Sequence, residues 1–281
     1  MPTRALVLGG GGIAGAAWEV GLLSGWAAHG VDVRDADLVV GTSAGSVVGT
    51  LVRTSGDLEA LYARQLGPVP PTEPRVVVDA TAMMTAFGEA VAGVAGEREA
   101  RARIGAMALG AATVPEGERR AVIRGRIGDP DWPGRRLLVT AVDTADGEFV
   151  AFDASAGVRL LDAVAASCAV PGVWPPITVG RRRFMDGGMR SVTNADLAEG
   201  YEVVLVVAPV RGFPESSLGP TLQQEVDHLR QHAEVHVVVA DDRALAAFGT
   251  NPLDPATREP AARAGRRQAE ATLEELRRFW T

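Results

Sequence analysis

The stretch Leu38-Val39-Val40-Gly41-Thr42-Ser43-Ala44-Gly45-Ser46-Val47-Val48 carries one apolar run into another across the pattern G-x-S-x-G. A continuous Leu/Val run suits a strand buried on both faces of a parallel sheet. Val47, Val48 and Leu51 then recur at helical spacing. Between the two runs, Gly41 and Gly45 let the chain bend sharply and let a substrate approach Ser43, as a nucleophile elbow requires. The helix behind the serine adds N–H donors and a dipole that favours a developing oxyanion. Working outward, Leu6-Val7-Leu8-Gly9-Gly10-Gly11-Gly12-Ile13-Ala14-Gly15 is a second strand-to-helix turn. It leads into Ile13–His29, apolar at Trp18, Leu22 and Trp26. The two turns frame the strand–helix–strand unit of an α/β fold.

Further strands are expected at Leu137–Ala141, Phe149–Phe152, Val203–Ala208 and Val235–Val239, besides Ala5–Leu8 and Leu38–Val40. No repeat is visible, so residues 1–281 read as one domain. Residues 67–78 begin Gly-Pro-Val-Pro-Pro and predict a loop. Residues 79–125 read as Ala-, Gly- and Met-rich helices. They serve either as a lid over a site, offering Met83, Met84, Phe87 and Met107 as a pliable apolar surface, or as plain cover for one sheet face. Pro260–Trp280 predicts a charged amphipathic helix docked on the domain.

Composition closes off several classes. Glycine makes up 33 of 281 residues without a Gly-X-Y period, which excludes collagen. All 28 basic residues are arginine, so no Schiff-base or P-loop lysine chemistry is available. A net charge of −7 argues against a nucleic-acid partner. Cys168 is the single cysteine, which rules out an internal disulfide or a Cys-based zinc cluster. The segment Ala5–Ala28 carries one charge, Glu19, but its glycines suit strand, turn and helix better than a membrane span. With no signal peptide evident either, a cytoplasmic location is expected.

The first turn points backbone N–H groups and a helix N-terminus at one place, an anion site by construction. Gly10, Gly12 and Gly15 satisfy G-x-G-x-x-G, but a dinucleotide site also needs an acid closing the second strand. That strand runs into Gly41-Thr42-Ser43, and the nearest acid, Asp37, precedes it. The serine needs a base. An α/β-hydrolase elbow follows several earlier strands, so Ser43 comes too early for that fold. His29 falls at a helix end, His228 and His232 are spaced one turn apart in a polar helix, and His236 opens a strand. None announces a base. Asp186 is the better partner: it ends Arg181-Arg182-Arg183-Phe184-Met185-Asp186, and Gly187 and Gly188 follow in a turn that frees the carboxylate to face a site.

Taken in order, the Gly-rich turn at 9–15, Gly-Thr-Ser-Ala-Gly at 41–45 and Asp-Gly-Gly at 186–188 resemble the patatin-like phospholipase family. The stretch Ala166-Ser167-Cys168-Ala169-Val170-Pro171-Gly172 with Pro175-Pro176 is similar to the family's segment before its Asp-Gly motif. The resemblance implies a three-layer α/β/α fold around a mostly parallel sheet, and a Ser–Asp dyad without histidine. Ser43 would be the nucleophile and Asp186 its base. Gly10, Gly11 and Gly12, with Ala44, would form the oxyanion hole. It implies an acyl hydrolase of lipid or other carboxylic esters, with no cofactor or metal and with transient contact at a membrane surface. An acyltransferase using the same serine, or a nucleotide-binding module built on the first loop, are the alternatives. One position departs from the family: Ala14 stands where an arginine is frequent, which puts head-group handling in question more than ester hydrolysis.

Overall fold

The computed structural model describes residues 2–76, 78–212 and 214–281. In chain order the strands are β1 (Arg4–Leu8), β2 (Leu38–Gly41), β3 (Arg136–Asp143), β4 (Phe149–Phe152), β5 (Ile177–Val179), β6 (Arg182–Asp186), β7 (Val203–Ala208) and β8 (Glu234–Val239). The helices are α1 (Gly12–Ala28), α2 (Ala44–Thr54), α3 (Leu58–Leu66), α4 (Ala80–Val91), α5 (Glu97–Gly110), α6 (Glu116–Ile127), α7 (Leu160–Ser167), α8 (Leu222–Leu229), α9 (Asp242–Phe248) and α10 (Arg258–Trp280). One sheet runs β5-β6-β3-β2-β1-β7-β8, with β4 also paired to β3. The pairings around β1, β2, β7 and β8 are parallel, whereas β4, β5 and β6 join antiparallel. The six expected strands all form. The β5–β6 hairpin is additional, turning at Gly180 with φ +63°.

Alternate residues of the central strands go to opposite faces, as the pleat requires. Leu6, Leu8, Val39, Leu205 and Val207 meet the layer containing α1, α2, α7 and α10. Ala5, Val7, Val40, Val204 and Val206 meet α8 on the other side. The fold is thus three-layer α/β/α with a mostly parallel sheet.

Helix α1 is apolar nearly all round because it is enclosed, sheet on one side and α10 on the other. The contact is backbone-close: a Cβ at Gly21 would lie 2.1 Å from the Ala262 carbonyl oxygen. Trp18 and Trp26 hold the pair together through their indole N–H groups, donating to Gln268 Oε1 and Thr272 Oγ1, each at 3.0 Å. This enclosure accounts for the apolar character of the segment. Among the described residues no helix is long and apolar enough to cross a membrane. α10 starts two residues before the expected Pro260, which the first helical turn tolerates because its N–H groups lack intrahelical partners anyway. The two polar histidines do not share a helix: α8 ends at Leu229, so His232 lies beyond it.

Candidate active site

Gly41 closes β2 and Ala44 opens α2, leaving Ser43 at the corner with φ +51° and ψ −112°. A non-glycine residue pays strain in this region, so the surroundings must impose it. They do so from three sides. Ser43 N–H donates to Ser167 Oγ at 2.9 Å, and Ser43 O accepts from Ser46 Oγ at 2.6 Å and from Cys168 Sγ at 3.3 Å. The turn is pressed against β1: a Cβ at Gly45 would fall 2.0 Å from the Leu8 carbonyl oxygen. Leu8 and Gly41 are register partners in adjacent parallel strands, so both Gly-rich turns emerge side by side at the strands' carboxyl ends.

Asp186 arrives from the antiparallel side, paired with Ala141 of β3. The chain then runs on beside Thr140, close enough that a Gly187 Cβ would meet Thr140 Oγ1 at 2.2 Å. Thr140 Oγ1 donates to Thr42 Oγ1 at 2.9 Å, which also accepts from Asn194 Nδ2 at 3.0 Å. This buried network ties the two motifs together next to the serine. Asp186 is 2% exposed. Its Oδ1 accepts from Gly188 N–H at 2.8 Å, which fixes the carboxyl orientation. Burial pushes its pKa up to about 6, opposed by that hydrogen bond, by the neighbouring Ser43 hydroxyl and by the charge of Arg119. Oδ2 has no partner at full hydrogen-bond geometry. The Ser43–Asp186 contact is therefore near but not closed, a common state before a substrate is bound.

The first turn contributes unevenly. Gly10 N–H is already donated to Val192 O at 2.7 Å, so it is not free for an oxyanion. Among the described residues no backbone bond engages the N–H of Gly11, Gly12 or Ala44. Ala14 is fully buried, with its N–H on Pro252 O at 2.9 Å. Leu253 closes over the loop, 2.8 Å from where a Gly12 Cβ would stand.

Ser43 opens into a cavity of about 350 Å³, a ligand-sized chamber. Its walls are largely apolar, with Ile13, Val48, Leu51 and Trp174 among them. The loop after α3 and the helix α6 complete it, but α4 and α5 do not line it. Met83, Phe87 and Met107 instead form a separate small core with Ile104, Val142 and Met185. No histidine lines the chamber. His29 Nδ1 sits 2.9 Å from Gly25 O, while His228 and His236 face Glu199 and Glu275. Among the described residues no three His, Cys, Asp or Glu side chains gather as a metal site.

The family model for the patatin-like phospholipases matches residues 6–199, a span holding the first turn, Ser43 and Asp186. The chain belongs to the patatin-like phospholipase family. That membership supports a lipid hydrolase. Among curated proteins none is significantly similar in sequence. Two similar solved structures are VipD from Legionella pneumophila and ExoU from the type III secretion system of Pseudomonas aeruginosa. The first is 11% identical with a TM-score of 0.47, over 98% of this chain and 67% of VipD. The second is 15% identical with a TM-score of 0.42, over 100% of this chain and 53% of ExoU. The chain thus spans about half the length of ExoU.

Two features of this patatin-like site escape the sequence motifs. Ser167 and Cys168 brace the elbow from the end of α7, although their stretch read only as a family-like segment. Arg119 enters the chamber from α6, and its signal in the sequence is spacing: it lies one and two turns before Ile123 and Ile127 on the buried face of the helix.

Proposed function

We propose that this chain is a serine acyl hydrolase that cleaves carboxylic esters of lipids through Ser43 and Asp186. The observation that carries the reading is the strained Ser43 beside a buried carboxylate with one free oxygen, at the wall of an apolar chamber. Asp186 Oδ2 takes the Ser43 proton as Oγ bonds to the ester carbonyl carbon. The N–H groups of Gly11, Gly12 and Ala44 hold the oxyanion that forms. Collapse expels the alcohol, which leaves with the proton from Asp186, and the acyl group stays on Ser43. Water, deprotonated by Asp186, then attacks the acyl carbon, and collapse breaks the bond to Ser43 Oγ, which takes the proton back from Asp186 as the fatty acid leaves. The acyl chain lies along the apolar wall. The exposed Val69, between the cavity-lining Pro68 and Pro70, together with Met84, Leu109 and Val114, supports transient contact with a lipid surface.

Fluorophosphonate labelling with peptide mapping tests the assignment. An adduct on Ser43, lost in Ser43→Ala and unaffected by replacing any histidine, is expected. An adduct elsewhere, or loss of ester hydrolysis in His228→Ala, His232→Ala or His236→Ala with the fold intact, refutes it. Adding an alcohol or thiol acceptor during turnover separates hydrolysis from acyl transfer.

A further inference from the structure

The chamber is basic in an acidic protein. Arg64, Arg119, Arg126 and Arg258 line it against one carboxylate, Glu73, while the chain carries −7. Glu73 is already paired with Arg126. Arg258 is turned to Gln65 Oε1 and the Arg64 carbonyl oxygen. Arg258 keeps one buried group, Nη1, without a partner, whereas Arg119 keeps two. Arg119 is 2% exposed, with its guanidinium 4.0 Å from the centre of the Trp174 ring. Nη2 donates to Cys168 O at 3.1 Å, but Nε and Nη1 are buried without a partner. No carboxylate forms an ion pair with it among the described residues; Glu73 and Asp186 act on it only from a distance. Arginine is almost never buried this deeply unless paired. Burial lowers its pKa to about 9, so it remains a cation at neutral pH.

A purely structural strut would also stack on Trp174 and cap Cys168 O. It would not leave two N–H groups of a buried cation unanswered in a chamber wall. The two groups point to different sides of the guanidinium, because the fork pairs Nε or Nη1 with Nη2, and each offers a charge-assisted N–H to an oxygen of a phosphate or carboxylate. The Cys168 carbonyl that Arg119 caps belongs to the residue whose thiol holds Ser43 O, so a single residue links Arg119 to Ser43, and both line the chamber.

We propose that Arg119 is the receptor for the anionic group of an amphiphilic ligand, phosphate or carboxylate, whose hydrocarbon chain lies along the apolar wall of the same chamber. This rests on the chamber being the substrate site, but not on the chemistry at Ser43. Arg119 thereby selects acidic over neutral lipid esters.

Calorimetric titration of the intact protein with decyl phosphate, decanoate and decanol, each below its aggregation limit, tests it directly. The anions are expected to bind about tenfold or more tighter than decanol, as a charge-assisted hydrogen bond to a buried cation warrants. Arg119→Met keeps an unbranched apolar side chain against Trp174 and should lose that preference while retaining decanol binding. Preference for decyl phosphate assigns the site to a phosphate-bearing ester, and preference for decanoate to a carboxylate-bearing one. Equal binding of decanol and both anions to the wild type, or a preference that survives in a folded Arg119→Met, overturns the proposal. If Arg119→Met fails to fold, Arg119→Lys replaces it, with a weakened but retained anion preference expected and an unchanged one refuting. As a kinetic check, Arg119→Met should raise KM for an anionic lysophospholipid about tenfold relative to KM for a neutral monoacylglycerol, and an unchanged ratio of the two would refute the assignment. Anion binding without labelling at Ser43 would sink the hydrolase reading alone. Labelling without anion preference would sink this one alone.

Discussion

The buried carboxylate makes a prediction that joins stability to rate. Asp186 has a pKa raised from 3.8 to about 6, chiefly because burial disfavours its charged form. Between these values the folded protein holds a proton that the unfolded chain has released. Stability therefore falls as pH rises through this window and is flat above it. A rise of about two units corresponds to about 3 kcal/mol lost by neutral pH, at about 1.4 kcal/mol per unit. Asp186→Asn carries no charge to desolvate and keeps an oxygen for Gly188 N–H. Its stability relative to wild type should improve by about 2 kcal/mol between pH 4.5 and pH 8, read from urea unfolding at each pH. The change with pH is the test, because any fixed cost of the new amide cancels. The same ionisation should set the acid limb of kcat/KM, with a midpoint near 6 and about tenfold lower activity at pH 5 than on the plateau. A midpoint there imitates histidine. The limb must therefore persist when His29, His228, His232 and His236 are each replaced. A stability difference that does not change with pH, or a limb lost with a histidine, would refute the assignment of Asp186 as the base.

Ser167→Ala removes the acceptor for Ser43 N–H and should cost about 1–3 kcal/mol in urea unfolding, with a fall in kcat as the elbow loosens. Gly21→Ala forces a methyl into the α1–α10 contact, where no flexible side chain can yield. A loss of more than about 2 kcal/mol is expected, with faster proteolysis at α10, and a wild-type melting temperature would show the contact to be looser than described. Glu19 is fully buried, its pKa is raised well above the ordinary value by burial, and both carboxylate oxygens lack partners. Above pH 5 the wild type should therefore lose stability relative to Glu19→Gln by about 1.4 kcal/mol per pH unit, until the carboxyl ionises; parallel pH–stability curves would show that Glu19 is not protonated in the fold.

The parts of this molecule legible in the sequence are those whose constraint is local. An unbroken Val/Leu run declares a buried parallel strand, and glycines around a serine declare a bend, because each constraint acts on a few consecutive residues. The hairpin of β5 and β6 was less legible, since Arg182 and Arg183 mask a short strand at the sheet edge. The distribution of work within the first turn could not be read at all. Gly10 donates to Val192, whose position depends on the whole sheet. Arg119 and Arg120 show the same limit more sharply. Adjacent and chemically identical, one is buried against Trp174 and the other is paired with Glu116 and Asp162. The helical register with Ile123 and Ile127 puts Arg119 on the buried face, but that it faces a chamber depends on how α6 packs. The lid-like reading of 79–125 divides in the same way, because α6 reaches the chamber while α4 and α5 build their own core.

Buried polar groups without partners are the sharpest guide to what this chamber is for, and Glu19 shows why they must be weighed one at a time. A lone buried carboxyl resolves its own cost by taking a proton, so Glu19 needs no ligand and lies outside the chamber. Asp186 takes that course only part-way: with a pKa of about 6 it is mostly charged at neutral pH, its free oxygen beside the one hydroxyl held in a strained corner. Arg119 cannot take the equivalent course, because even with its pKa lowered to about 9 it keeps its charge at neutral pH. What remains for a buried guanidinium is an anion from outside the chain. A carboxylate that holds its charge stands behind Ser43, and a cation that cannot lose its own lies with Ser43 in the wall of one apolar chamber. Together they fit an ester with an oil-like chain and an acidic group better than they fit a neutral lipid.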